Sequence, residues 1–363
     1  MARRLKSDAV LFGTTLLLLV IGIAWVYSAS VVKADASVAI QQGKFVLLGL
    51  AGLFVAMKVD YRRICNRPAL LWVIGATAVL LIAVLLFGHQ VKGARRWITI
   101  VGFRFQPSEF AKLAAVAFSA TVLGRRLEER EPLEPGFFQA GLAVVLLAAL
   151  VFLEPDYGGG LVLLGTGFVM MFVSGLPTKW VVGALLAAPP PLLAVLWLSP
   201  HSHQRLETWL DPYADPLGKG FQTIQSWIAV GTGGLWGKGF QASVQKMFYL
   251  PEAHNDYIFA VIAEEQGLIG ATVVLACFAV IIWRGLIAAR RAPDAFGSLL
   301  AAGLTVMLGL PALINMGVVT NLLPAKGISL PLVSAGGSSM IVSLVAIGLL
   351  LNVSQQASAT GEE

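Results

Sequence analysis

Charge is what this sequence has least of. Of its 363 residues, 13% are Asp, Glu, Lys or Arg, against 57% hydrophobic, whereas a soluble domain carries about 25% charged residues. That shortfall excludes an ordinary soluble domain and leaves a multi-span membrane protein. Cysteine is almost missing as well. Cys65 sits in a short basic loop and Cys277 inside an apolar run, which gives neither a disulfide framework nor a metal-ligand spacing. His201 and His203 stand two apart in a loop with no partner to mark them as metal ligands. The net charge of +6 does not imply nucleic acid, because membrane proteins collect Lys and Arg on their cytoplasmic loops.

What is there is a series of long apolar runs. The first, in "MARRLKSDAVLFGTTLLLLVIGIAWVYSAS", is longer than the roughly 7–15 residues of a signal-peptide core and reads as a transmembrane helix that stays. A spanning helix needs about 20 mostly apolar residues. By that measure the chain is all-α, with about ten spans near 10–32, 43–59, 69–88, 108–124, 137–153, 158–176, 178–198, 257–283, 296–318 and 331–352. The "APPPLL" run at 188–193 should kink the seventh. Placing the N-terminus in the cytoplasm puts more than half of the 26 Lys and Arg on inside segments. Ten spans then return the C-terminus to the same side.

The exceptions to that bias are informative. Between spans three and four, "GHQVKGARRWITIVGFRFQPSEFAK" lies outside yet holds Lys92, Arg95, Arg96 and Arg104. Between spans seven and eight, the long outer loop at about 199–256 carries Arg205, Lys219, Lys238 and Lys246. Basic residues there suggest an anionic ligand on the outer side; pairing with Glu207, Asp211 and Asp215 or with lipid headgroups is the plainer alternative for each. Loops of this length are functional or disordered, and its Trp209, Trp227, Trp236, Phe221, Phe240 and Tyr249 argue against disorder.

Several constellations could carry chemistry. "GTGGLWGKGF" (231–240) fails as a phosphate loop, since Thr232 and Gly239 stand where Gly and Ser or Thr are needed. Its glycines suit tight turns and close approach. Asp256 precedes the apolar "YIFAVIA", so it is either a helix N-cap or a carboxylate at the membrane–water boundary, with Glu252 and His254 beside it. Glu264 and Glu265 lie about 12–13 Å deeper, where carboxylates pair with other helices or line a cavity; structure is favoured for both. Glu109 and Lys112 share one helix face and either neutralise each other or, with Arg95 and Arg96, hold a diphosphate. "EPDYGGG" (154–160) places Glu154 and Asp156 in a turn, too few carboxylates to argue for a cation.

"GARRWI", "FRFQPSEFAKL", "EPDYGGG", "RLETWLDPYADPLGKGFQTIQSWIAVGTGGLWGKG", "SVQKMFYLPEAHNDYIFAVIAEEQGLIG" and "LPAKGISLPLVSAGGSSMI", in that order, resemble the SEDS family (shape, elongation, division and sporulation), which includes RodA and FtsW. The resemblance covers nearly the whole chain as a single domain, 1–363, and leans to the division branch. It implies a peptidoglycan glycosyltransferase that polymerises lipid II on the outer face of the bacterial cytoplasmic membrane, at the septum for the division branch. It also implies a cognate class B penicillin-binding protein and other divisome or elongasome membrane proteins as partners. The family's key acid falls on Asp256, and its functional Glu and Lys fall on Glu109 and Lys112. Arg95, Arg96, Lys92 and Lys238 are then expected at the diphosphate, with His254, Glu252, Gln106 and Ser108 around them. A divalent cation, Mg2+ or Mn2+, is left open. Asn255, Ala335 and Glu154 depart from the residues usual in the family, which are Thr, Tyr and Gln. A lipid II transporter and a non-catalytic scaffold for a transpeptidase are the rival readings. A transporter needs a path open to both faces, and a scaffold needs no Asp256, Glu109 and Lys112 set.

Overall fold

The computed structural model describes residues 7–31, 37–64, 67–91, 94–100, 103–187, 200–247, 249–251 and 253–360. Cys65, Lys92, Glu252 and the "APPPLL" run lie outside them. Among the described residues, seven helices are long and apolar enough to cross a membrane: α1 (Ala9–Val31), α2 (Ser37–Lys58), α3 (Arg67–Phe87), α5 (Glu134–Leu153), α10 (Ile258–Arg291), α11 (Ala295–Val319) and α12 (Gly337–Thr360). An eighth, α6 (Tyr157–Val173), is apolar and shorter. Between them come α4 (Pro107–Glu129) and α7 (Thr178–Ala187), and two short helices, α8 (Pro200–Leu210) and α9 (Phe221–Thr232), sit in the long loop.

Burial separates centre from periphery. The apolar windows of α11 and α12 are 72% buried, those of α2 and α3 22%. α12 packs along α2, and α11 along both α10 and α4. α4 begins and ends in charge, yet its middle, from Ala114 to Gly124, is buried. It is a central helix screened from lipid by its neighbours, which is why it tolerates so many ionisable residues.

The all-α expectation is corrected at one place. His89–Val91, Ala94–Ile100 and Phe103–Phe105 form strands β1, β2 and β3 of an antiparallel sheet between α3 and α4. "RRWITI" is rich in the aromatic and β-branched residues that favour strands, and the segment is too short and too polar for another span.

A second departure lies inside α10. The sequence reads as one continuous helix, but Gly267 has φ 66° and ψ −160° and breaks it. A break inside a membrane leaves backbone groups that must find partners within the protein. The glycine-rich loop supplies them: Lys238 N donates to Glu264 O (3.0 Å) and Gly239 N to Glu265 O (2.9 Å), while Leu268 N donates to Gly234 O (2.8 Å). The glycines of "GTGGLWGKGF" therefore serve close approach to a broken helix.

The carboxylates above the break complete the anchor. Glu264 accepts from Lys238 Nζ (2.7 Å), Val244 N (3.1 Å) and Gln245 N (3.3 Å), and also from Ser243 Oγ. Glu265 accepts from Lys246 Nζ (2.7 Å) and from Ser28 Oγ on α1 (2.7 Å). Both acids are structural, tying the long loop to α1 and α10.

Candidate functional site

Asp256 sits at the end of a segment whose carbonyls are held one after another. Ala335 N donates to His254 O at 3.0 Å. Ser334 Oγ donates to Asn255 O at 2.7 Å, and Asn315 Nδ2 to Asp256 O at 2.8 Å. The same Asn315 Nδ2 donates to Ile328 O at 2.7 Å, so one α11 side chain joins the two segments. The N-cap of α10 is Tyr257, without a side-chain cap bond; Asp256 does not occupy the capping position. Its carboxylate lies instead against Gly327, where a Cβ would stand 2.9 Å from Oδ2.

Asp256 faces a large open chamber of about 1420 Å³ at the end of the bundle where the sheet and the long loop sit. Among the described residues, six cations line it, Arg96, Arg104, Lys112, Arg205, Lys219 and Lys326, against three carboxylates, Glu109, Asp156 and Asp256. His254 and Gln106 line it too.

Glu109 and Lys112 lie in the first two turns of α4 and pair at 2.9 Å. Arg96 Nε donates to Glu154 O at 3.2 Å and its guanidinium also donates to Pro155 O, with Asp156 at 3.9 Å. Asp156 caps α6 through Gly159 N (3.0 Å) and accepts from Gln106 Nε2 (3.1 Å) and Ser108 Oγ (3.2 Å). Gln106 N donates to Ser338 Oγ at 2.9 Å. This network fixes the start of α4, and with it Glu109 and Lys112, against α6 and α12.

Two expected diphosphate ligands point elsewhere. Successive residues of a strand face opposite sides, so when Arg96 faces the chamber Arg95 turns away, towards the Leu85 and Leu86 carbonyls at the end of α3 (3.4 Å each). Lys238 is held by Glu264, outside the chamber. The sequence reading missed Lys326, a lone cation among turn residues in "LPAKG"; its one signal was its place in a polar segment between two spans.

Glu154 is fully buried, and among the described residues neither carboxylate oxygen has a hydrogen-bond partner. Burial, then the Asp156 charge, push its pKa up to about 8 against the pull of Arg96. A carboxyl held protonated near neutral pH resembles the Gln usual in the family at this position. Among the described residues no three His, Cys, Asp or Glu side chains gather to hold a metal ion.

Apolar helices around a central α4 and α11, with a cation-rich chamber at one end, define a polytopic membrane protein with its polar site at the bundle's edge. The chain belongs to the FtsW/RodA/SpoVE family of cell cycle proteins, whose match spans residues 8–359. It is 40% identical to a probable peptidoglycan glycosyltransferase FtsW of Geobacter sp. (strain M18), over 97% of this chain and 98% of the relative. It is 42% identical to stage V sporulation protein E of Bacillus subtilis (strain 168), over 97% and 98%. Its fold matches a solved chain of a peptidoglycan synthase complex that coordinates polymerization and crosslinking, with a TM-score of 0.81, 30% identity, and 97% and 99% covered. It also matches the rod shape determining protein RodA of Thermus thermophilus, with a TM-score of 0.71, 27% identity, and 97% of each chain covered.

Proposed function

We propose that this chain is a peptidoglycan glycosyltransferase that polymerises lipid II at the outer face of the bacterial cytoplasmic membrane. The observation that carries the reading is the convergence of Asp256 with six cations in one chamber at the membrane edge. Lipid II presents a diphosphate and a disaccharide at that level while its tail lies between helices. The chamber end carries the sheet and the long loop; at the other end Arg62, Arg63, Arg125, Arg126, Arg290 and Arg291 lie in or beside short connections, where basic residues favour a cytoplasmic placement and so support a chamber that faces out with both termini inside. Beside the seven long helices, α4, α6 and the segment that α7 begins are read as further spans, which would make ten; most of the seventh span's second half falls outside the described residues.

The diphosphate is already a good leaving group, so no strong general acid is needed. The acceptor hydroxyl must lose its proton as it attacks the anomeric carbon, and Asp256 is the base that takes it. Charge developing on the diphosphate is met by the basic wall. Direct attack inverts the sugar linkage. The Lys112 ammonium pairs with Glu109 at 2.9 Å, and both side chains line the chamber. A class B penicillin-binding protein is the fitting partner, since the solved synthase complex joins polymerization to crosslinking. The 40% and 42% identities to division and sporulation proteins favour septal synthesis over elongation.

The test supplies labelled lipid II to the purified protein with its partner and compares wild type with Asp256→Asn on a glycan gel. Polymer from wild type and none from the folded variant is the expected result. Equal polymer from both would remove Asp256 from the chemistry, and no polymer from either would favour transport or scaffolding.

A further inference from the structure

Two polar rungs tie α1 to α10. At one end Arg284 Nε donates to Asp8 Oδ2 at 2.7 Å, with the exposed Trp283 ring against that guanidinium. At the other, Ser28 Oγ and Lys246 Nζ each donate to Glu265 at 2.7 Å, and the adjacent Tyr27 is exposed. Along either helix the rungs stand about 30 Å apart, the thickness of a hydrocarbon core. Exposed Trp and Tyr at both levels are what membrane interfaces collect. Exposure along α10 changes at the second rung. Every residue from Ile258 to Glu265 is buried, whereas Leu268, Ile269, Val273 and Leu275, beyond the break at Gly267, are exposed. Lipid contact therefore begins at the break.

The loop that holds this break carries an apolar rim. Leu235, Trp236, Phe240, Val244, Met247 and Tyr249 are exposed, Trp236 by 78%. Leu268 N donates to Gly234 O and Ile269 N to Leu235 O, so the rim continues the apolar surface of Leu268 and Ile269. The two lysines among these residues are drawn inward, Lys238 to Glu264 and Lys246 to Glu265, which leaves the rim without charge. We infer that these six side chains lie in the headgroup–acyl boundary of the leaflet on the chamber side and anchor the loop to lipid. Lipid is the occupant that fits, because the rim is apolar, led by Trp236, and confined to the height at which α10 first meets the bilayer; a protein partner would need no such match. Anchored there, the loop fixes the height of the break, and the buried helix above it carries Asp256 about 15 Å clear of the hydrocarbon. The inference goes beyond the polymerase reading and would hold for a transporter or a scaffold.

The test places a nitroxide on the full-length protein in phosphatidylcholine nanodiscs, at Trp236→Cys and, separately, at Met247→Cys, each with Cys65→Ser and Cys277→Ala. Leu275→Cys on α10 is the lipid control, and Leu217→Cys, exposed in the chamber, is the water control. Power saturation with oxygen, which concentrates in lipid, and with a nickel chelate, which stays in water, reads the depth of each label. Both rim labels should favour oxygen over nickel and lie about 5–10 Å into the boundary, shallower than the Leu275 label by about 12 Å. Adding the transpeptidase should leave these values unchanged. Nickel access at both rim sites equal to that at Leu217 overturns the anchor and puts the loop in water. Loss of access to both reagents on adding the transpeptidase overturns it in favour of a protein-docking surface. Should Trp236→Cys fail to fold, the Met247→Cys label carries the same test. Neither readout needs turnover, so a lipid-anchored rim on a protein that makes no polymer counts against the polymerase reading and not against the anchor.

Discussion

The carboxylate of Asp256 rests against the backbone of Gly327, so that a single methyl group at 327 would stand 2.9 Å from Oδ2. Among the described residues, its own chain neighbours aside, only that carboxyl group lies within 4 Å of the methyl position. Gly327→Ala should therefore move the end of one side chain and leave the packing alone. Displacing a catalytic group by a fraction of an ångström to an ångström costs on the order of 10- to 100-fold in rate. The expected outcome is that loss in kcat with an unchanged unfolding midpoint in detergent. A fully active variant would mean that the position of the Asp256 carboxylate does not limit turnover.

Lys246 and Glu265 make a second test, of folding rather than chemistry. Their side chains are 2% and 0% exposed and 2.7 Å apart. Removing one partner of a buried pair leaves an uncompensated charge, at about 3–5 kcal/mol. Lys246→Met should lower the unfolding midpoint sharply. Lys246→Met combined with Glu265→Gln should restore most of it, since Ser28 can still bond the amide. A double mutant no more stable than Lys246→Met would show that the lysine acts through packing alone.

How much of this was legible beforehand follows from where the partners lie. Asp256, Glu109 and Lys112 stood out because charged residues at the edges of apolar runs are few and their neighbours in sequence are their neighbours on one helix. Lys238 was misplaced because its partner, Glu264, is 26 residues away and nothing in a linear pattern joins them. Arg95 and Arg96 looked equivalent until a strand put them on opposite sides. The break at Gly267 was hidden since apolar composition runs unbroken through it. The three donors that hold His254, Asn255 and Asp256 come from residues 315–335, a tertiary fact with no local signature.

Glu154 predicts a pH dependence of stability. Its folded pKa is raised to about 8 from 4.5 by burial first and Asp156 second. Between those values the folded protein keeps a proton that the unfolded chain releases. The stabilisation is thus fully present below the unfolded pKa and is lost as pH rises through the folded one, with a slope of at most about 1.4 kcal/mol per pH unit. Wild type should unfold at a lower temperature at pH 8 than at pH 5.5. Glu154→Gln keeps the neutral shape, so the variant should lose most of that slope and be the more stable protein at pH 8. Parallel curves for the two would show that Glu154 titrates alike in the folded and unfolded chains.

The break in α10 can be tested against intact helices of the same protein. Gly267 lies about 14 Å along α10 from its start, at φ 66° and ψ −160°, a region open to glycine and strained for any other residue. A Cβ there would also stand 2.4 Å from Gly237 N and 2.5 Å from Leu235 O. These are backbone atoms, which cannot swing aside as a side chain does. Gly267→Ala must push the 234–239 loop away, and Glu264 and Glu265 would lose the backbone donors that satisfy their carbonyls. Strain of about 1–3 kcal/mol adds to unsatisfied groups of about 1–3 kcal/mol each, so the variant should be strongly destabilised. Gly43 in α2 offers the contrast, with open space around its Cβ position. Gly43→Ala should gain about 0.5–1 kcal/mol from helix propensity. Unfolding midpoints moving in opposite directions would locate the cost in the broken helix and its loop. A neutral Gly267→Ala would mean that α10 can run straight and that the loop's hold on it contributes little to the fold.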